Sequence, residues 1–280
     1  MGCSRCRVTG LTLMASLGLA LGGMAVGQVP SAPATPASAT VAGTTSVTAA
    51  PPAARDAANA LDQPLQWLQE ARKSYSGVRD YTCTLLKQER MRGRMQDQNI
   101  ILMKFRAQPF SVYMRWLSPQ PSAGQEVAFI YGRNNNQMRV HFASGLKSTI
   151  GWKSVDPNDR RVFEQSRHNI YEAGIGNMIE QLIQSLEKER QRNKTQVRIA
   201  EYTYNNRRCH RVECIGTERD PQSPVYRCVF YLDKESKLPI RMETYDWPVV
   251  GGAATGEPIE TFSFVDLRFN VSLSDRDFAR

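Results

Sequence analysis

From Arg79 onward the chain is built from short segments of strand-like texture joined by turns rich in Gly, Pro and Asn, and this rhythm restricts the fold more than any other feature. Asp80 to Met91 runs into the turn Arg92-Gly93-Arg94, and Met95 to Arg106 is spaced to pair back on it. Pro109 breaks that segment. Phe110 to Leu117, Gln125 to Tyr131 and Gln137 to Phe142 follow, separated by Ser118-Pro119-Gln120-Pro121 and by a turn cluster at Gly132 to Asn136. The same texture resumes after Asn193 with Gln196–Tyr204, Arg207–Gly216, Val225–Asp233, Leu238–Asp246 and Ile259–Phe269. Runs of this length with short connections predict antiparallel hairpins in series. About nine to eleven strands in one sheet must curl to bury a face.

Two stretches have helical periodicity instead. Leu61, Leu65, Leu68, Ala71 and Tyr75 recur on one face, with Asp62 as the expected cap, Pro64 in the first turn and Ser76-Gly77 as the stop. After Gly174-Ile175-Gly176, the residues Ile175, Met178, Ile179, Leu182, Ile183 and Leu186 make a broad apolar stripe, with Glu180, Gln181, Gln184, Glu187 and Lys188 opposite. The section from Trp152 to His168 has few apolar residues and reads as a long excursion. The expected fold is α+β: one large curved antiparallel β-sheet, an incomplete or unclosed β-barrel, wrapped around two or more helices.

The N-terminal part is of a different kind. Residues 1–27 read as a signal peptide: Arg5 and Arg7, an apolar run from about Val8 to Val26, then Ala25-Val26-Gly27 with small residues at the cleavage positions. The strongly apolar part is about 16 residues, short of the roughly 20 that span a bilayer. No cysteine stands at the cleavage position, so the expected product is a periplasmic or exported protein that is not a lipoprotein. Residues 28–60 are rich in Ala, Pro, Thr and Ser, with too little apolar bulk to offset chain entropy, and read as a disordered linker. Residues 61–280 are then one domain. The formal charge is +9, and without Arg5 and Arg7 it is two lower, +7. Such a surface suits peripheral contact with an anionic membrane, while export argues against a nucleic-acid partner.

Four cysteines follow the leader: Cys83, Cys209, Cys214 and Cys228. An oxidising compartment permits disulfides. With the Thr217–Pro224 loop as the hairpin tip, Cys214 and Cys228 fall roughly opposite each other and are the leading pair; Cys209–Cys228 and four free buried thiols are the alternatives.

A search for chemistry finds little. Of His141, His168 and His210, none stands at metal-ligand spacing with another His or Cys, and Cys209-His210 are adjacent on a strand and point apart. No nucleophile elbow, zinc-protease motif or phosphate loop is present. Gly174-Ile175-Gly176 lacks the rest of a phosphate-binding fingerprint and reads as a helix start. Glu89, Glu126, Asp156, Asp159, Glu213, Glu243 and Asp246 are not paired by any spacing into an acid and base. The expectation is therefore no catalytic residue, no metal and no cofactor. The aromatic and thioether side chains on the strands and the second helix could line an apolar cavity. The candidates are Trp116, Phe129, Tyr131, Met178, Leu182, Phe230, Tyr245 and Trp247.

The segments Tyr231–Pro248 (YLDKESKLPIRMETYDWP) and Phe262–Phe278 (FSFVDLRFNVSLSDRDF) resemble the periplasmic lipoprotein carriers of the LolA/LolB-like superfamily. They resemble more closely an uncharacterised family of exported bacterial proteins, to which Gly124–Gly132 and Ile170–Met178 are also similar. The resemblance implies an unclosed barrel around helices and, as activity, the binding of a lipid, acyl chain or lipidated protein between sheet and helices. The alternative expectation is an envelope module that binds a protein partner and no lipid. A monomer is expected in either case.

Overall fold

The computed structural model describes residues 60–143, 151–220, 223 and 225–280, and all structural statements concern these. The leader (1–27) and all of the linker (28–60) except Ala60 lie outside the described residues. Among the described residues no helix is long and apolar enough to cross a membrane.

In chain order the elements are α1 (Asp62–Tyr75), β1 (Asp80–Met91), β2 (Arg94–Met95), β3 (Asn99–Arg106), β4 (Ser111–Ser118), β5 (Glu126–Ile130), β6 (Met138–His141), β7 (Lys153–Val155), α2 (Arg160–Phe163), α3 (Ile175–Arg192), β8 (Thr195–Tyr204), β9 (Arg207–Gly216), β10 (Arg227–Asp233), β11 (Pro239–Tyr245) and β12 (Pro258–Phe269). All twelve strands form one sheet in the order β7-β6-β5-β4-β3-β1-β12-β11-β10-β9-β8, with β2 beside β1. Among the described residues every strand pairing is antiparallel, and β7 and β8 are not joined, so the barrel is open. The first and last strands are neighbours near the middle of the sheet.

The count exceeds the nine to eleven expected because two strands are very short. The stretch Met95–Arg106 is not continuous: β2 pairs only with the end of β1, and β3 begins at Asn99. Inside the long excursion, Lys153–Val155 adds an edge strand to β6. Segments of two or three residues carry no readable alternation.

Alternation sorts the sheet into two faces. On the concave face Leu85, Ile101, Met103, Phe105, Val112, Phe129, Val212, Phe230, Met242 and Phe264 join Leu65, Leu68 and Ala71 of α1 and Ile175, Met178, Ile179, Leu182, Ile183 and Leu186 of α3 in one buried cluster. The two helices are tied to each other by Arg72–Glu180 (2.5 Å) and Asp62–Arg190 (2.8 Å). Asp62 is therefore not the cap that the sequence suggests. Leu61 occupies the cap position without a side-chain bond, and the Asp62 carboxylate, in the first turn, faces Arg190 instead.

The Gly174-Ile175-Gly176 start of α3 is a packing device. Gly174 has φ +106°, and a Cβ there would sit 2.5 Å from the Phe105 ring; a Cβ on Gly176 would sit 2.5 Å from the Tyr75 ring. The buried Tyr81 hydroxyl accepts from the Ile175 N–H (3.1 Å), satisfying a donor of the first turn.

Candidate functional site

The eight residues expected to line a cavity separate into two groups. Phe129, Met178, Leu182 and Phe230 meet in the buried cluster between helices and sheet, and Trp116 packs on its edge while its Nε1 donates to Asn99 Oδ1 (2.9 Å). Tyr131, just past β5, is 58% exposed. Tyr245 belongs to the convex face: Arg227 lies 3.7 Å above its ring, and its hydroxyl donates to Glu243 Oε2 (2.5 Å). Trp247 lies beyond β11 against Tyr226 and donates to the Ser223 carbonyl (3.3 Å).

Two other arrangements were not legible in the sequence. The first is a charge cluster at one end of the concave face. Glu89 and Glu260 stand directly opposite each other on β1 and β12, both buried. His168, from the excursion before α3, places Nε2 2.9 Å from Glu260 and Nδ1 2.6 Å from Glu172. Arg167 bonds Glu260 (3.1 Å), Lys87 pairs with Glu89 (2.9 Å), and the Ser166 hydroxyl bridges Lys87 and Glu89. Burial alone would lower the His168 pKa, but its bonds to Glu260 and Glu172 outweigh this and raise it to about 9. Burial would raise the Glu260 pKa; the bond and charge of His168, with Arg167, bring it below the ordinary value.

Glu89, His168 and Glu260 have donor atoms within 4.8 Å of one another, a spacing that could hold a cation. Lys87, Arg167 and a protonated His168 already balance Glu89, Glu260 and Glu172, so the set is satisfied as an ionic clasp. It fastens the excursion to the two central strands. A histidine kept protonated at neutral pH is also poorly suited to act as a base.

The second arrangement is a groove of about 430 Å³ on the convex face, lined by Thr82 and Thr84 of β1, Leu102 and Lys104 of β3, Tyr113 and Arg115 of β4, Asp266 and Arg268 of β12, and Arg280. An irregularity in the β1–β12 register at Thr82/Thr84 places Asp266 at φ +55°, and Thr84 donates to its carboxylate (3.2 Å). The floor is largely apolar, with Leu102 43% exposed. The charged rim has four basic residues and one acidic one. Lys104 pairs with Asp277 (2.8 Å) and Arg280 with Glu126 (3.6 Å), whereas among the described residues Arg115 and Arg268 make no salt bridge.

One wall of the groove is the C-terminal arm. Asn270 pins its start: its N–H donates to the Asp80 carbonyl (2.7 Å), its Oδ1 accepts from the Arg79 N–H (2.8 Å), and its Nδ2 donates to the Gly77 carbonyl (3.2 Å). Phe278 anchors the other end, buried with Tyr113 and Ala128 under the Arg106 guanidinium. These contacts explain why Asn270 and Phe278 stand at the two ends of the arm that closes the Phe262–Phe278 segment.

Cys83, Cys209, Cys214 and Cys228 are free thiols. Cys214 and Cys228 are directly paired across β9 and β10 on the concave face. Facing residues in an antiparallel pair have Cα atoms about 4.5–5.5 Å apart, within disulfide range. Burial pushes the Cys214 thiol well up, and burial with Glu260 and Glu243 pushes Cys228 to about 12, so neither is a ready nucleophile.

Residues 78–280 match the model of the family DUF1571, described as a protein of unknown function. The chain belongs to the DUF1571 family. The match leaves out α1, although that helix supplies part of the DUF1571 chain's core. No curated protein matches the sequence. Among solved structures, the chain is similar to a LolA superfamily protein from Nitrosomonas europaea (11% identity, 77% of this chain and 96% of that one, TM-score 0.30). It is also similar to the Mycobacterium tuberculosis lipoprotein LppX (8% identity, 76% and 98%, TM-score 0.42). An uncharacterised conserved protein from Thermus thermophilus matches at 10% identity (78% and 94%, TM-score 0.44).

Proposed function

We propose that this DUF1571 protein works in the cell envelope as a non-catalytic binder of an anionic amphiphile, such as a fatty acid or the acyl group of a lipid or lipoprotein. The observation that carries the reading is the convex groove, whose apolar floor is rimmed by Arg115 and Arg268, two arginines without salt bridges among the described residues. Its volume lies in the range of small-molecule sites. An acyl chain fits along Leu102 and Tyr113, and a carboxylate or phosphate fits the arginine pair. The leader supports an envelope location, and the balanced clasp and the suppressed thiols support binding over catalysis. The interior set of Phe129, Met178, Leu182 and Phe230 is the second reading, favoured by their meeting in one apolar cluster; there a ligand enters only if α1 and α3 lift from the sheet.

Titration with a dansyl-labelled fatty acid at low ionic strength tests the proposal. The expected outcome is saturable binding that weakens about tenfold, roughly 1.4 kcal/mol, in Arg115→Glu/Arg268→Glu, and that weakens with salt in the native protein. Binding unchanged by the double substitution moves the ligand to the interior set. No binding by the native chain ends both readings.

A further inference from the structure

The two edges of the open sheet are unlike. β7 offers three residues, whereas β8 offers ten, paired with β9 from Thr195 to Tyr204 without a bulge or register shift. Long edges are usually blunted by a proline, a bulge or a covering element, and β8 contains no Pro or Gly. Residues 198–203 are exposed in succession, including Ile199 (44%) and Tyr202 (47%).

The phase of its hydrogen bonds follows from the pairing. Thr217 N–H donates to the Lys194 carbonyl (2.9 Å), and these residues extend the β8–β9 register, so every second residue from Lys194 bonds to β9. Gln196, Arg198, Ala200, Tyr202 and Tyr204 face β9. Val197, Ile199, Glu201 and Thr203 direct N–H and C=O outward.

The charge around the edge is lopsided. Lys194, Arg198, Arg208 and Lys234 stand against Glu201 and Glu218. Lys194 pairs with Glu218, and Lys234 and His210 with Glu201; among the described residues Arg198 and Arg208 make no salt bridge. A second copy of the chain would bring this basic edge against itself.

We propose that β8 is a docking edge for an extended segment of another protein in which acidic and apolar residues alternate, added as a further strand. The backbone groups of the four outward residues supply the ladder. Alternate residues share a face, so Val197 and Ile199 meet the partner's apolar side chains on the concave face and Arg198 meets its carboxylates on the convex face.

Residue-resolved hydrogen exchange of the full chain, with and without an acetylated ten-residue peptide alternating valine and glutamate, tests this. The amides of Val197, Ile199, Glu201 and Thr203 are expected to gain at least tenfold protection at saturation. Those of Gln196, Arg198, Ala200 and Tyr202 are protected from the start. Ile199→Pro removes an outward donor that β9 does not use, so it should keep the melting temperature within a few degrees and weaken peptide binding at least tenfold. Arg198→Glu should weaken it about threefold or more, and a valine–lysine peptide should not bind. The proposal is overturned by absent protection, or by protection equal in Ile199→Pro. It is also overturned if the edge amides become protected with rising protein concentration alone, which assigns the edge to a second copy. Protection already present in the full chain and lost on deleting residues 28–59 overturns it as well, by assigning the edge to the chain's own N-terminal segment.

Discussion

Val229 and Phe230 are consecutive residues of β10, both fully buried, on opposite faces of one sheet. Phe230 lies between Val212 and Met242 in the cluster closed by α1 and α3. Val229 lies between Glu213 and Glu243, packed with Cys209, Tyr231 and Ile240 in a small second cluster with no helix over it. Its cover is the sheet's own long side chains: Arg227 and Arg211 meet on Glu213, and Arg241 and Tyr245 meet on Glu243. Arginine and tyrosine stems exclude water there while their polar ends remain near the surface. A helix layer gives a core limited by fixed packing, whereas a layer of paired side chains can move inward when something beneath it is removed.

The sharpest test of the contrast is Phe230→Ala. With two helices held apart by their other contacts, the void cannot close, and a loss of about 3–5 kcal/mol in chemical denaturation is expected. Next comes the clasp at the end of the concave face, read through pH. The folded-state pKa of His168 is raised, so its contribution is complete below the ordinary value near 6.5 and is lost as pH rises through about 9. The native protein should exceed His168→Gln in stability by about 2–3 kcal/mol at pH 6, at roughly 1.4 kcal/mol per pKa unit, with the gap shrinking by pH 10. A gap that does not vary with pH contradicts the clasp. The smallest effect is expected for Val229→Ala, which removes two methyl groups at about 0.8 kcal/mol each, so about 1.5 kcal/mol, because the side-chain cover can settle into the space. A Val229→Ala loss as large as that of Phe230→Ala would mean that both faces are equally rigid.

Much of this fold was legible in the sequence because alternation and turn residues act locally. The Arg207–Gly216 strand is found with the bounds expected, and the β8–β9 turn is formed by Asn205 and Asn206, both at positive φ. The α3 stripe of Ile175 to Leu186 is buried as its spacing requires. The sites were not legible, for a physical reason. Alternation shows that Phe230 and Tyr245 lie on strands but not which face the helices cover, and that choice separates them. The bonds that fasten the excursion to β1 and β12 join residues 77 to 93 positions apart along the chain. The groove draws on β1, β3, β4, β12 and the arm, and only the register of the whole sheet brings Arg115 and Arg268 to one rim.

The place of β12 between β1 and β11 also sets an order of events in biosynthesis. A chain delivered from its N-terminus can stack β1 to β7 as one set of hairpins and β8 to β11 as another, but no strand pairing links the two sets until residues 258–269 arrive. Until then the edges of β1 and β11 are both open, each a template for misplaced strands. The sheet with the most distant pairing in the chain is thus completed last, and a chaperone that shields the two open edges would serve this protein mainly during that interval.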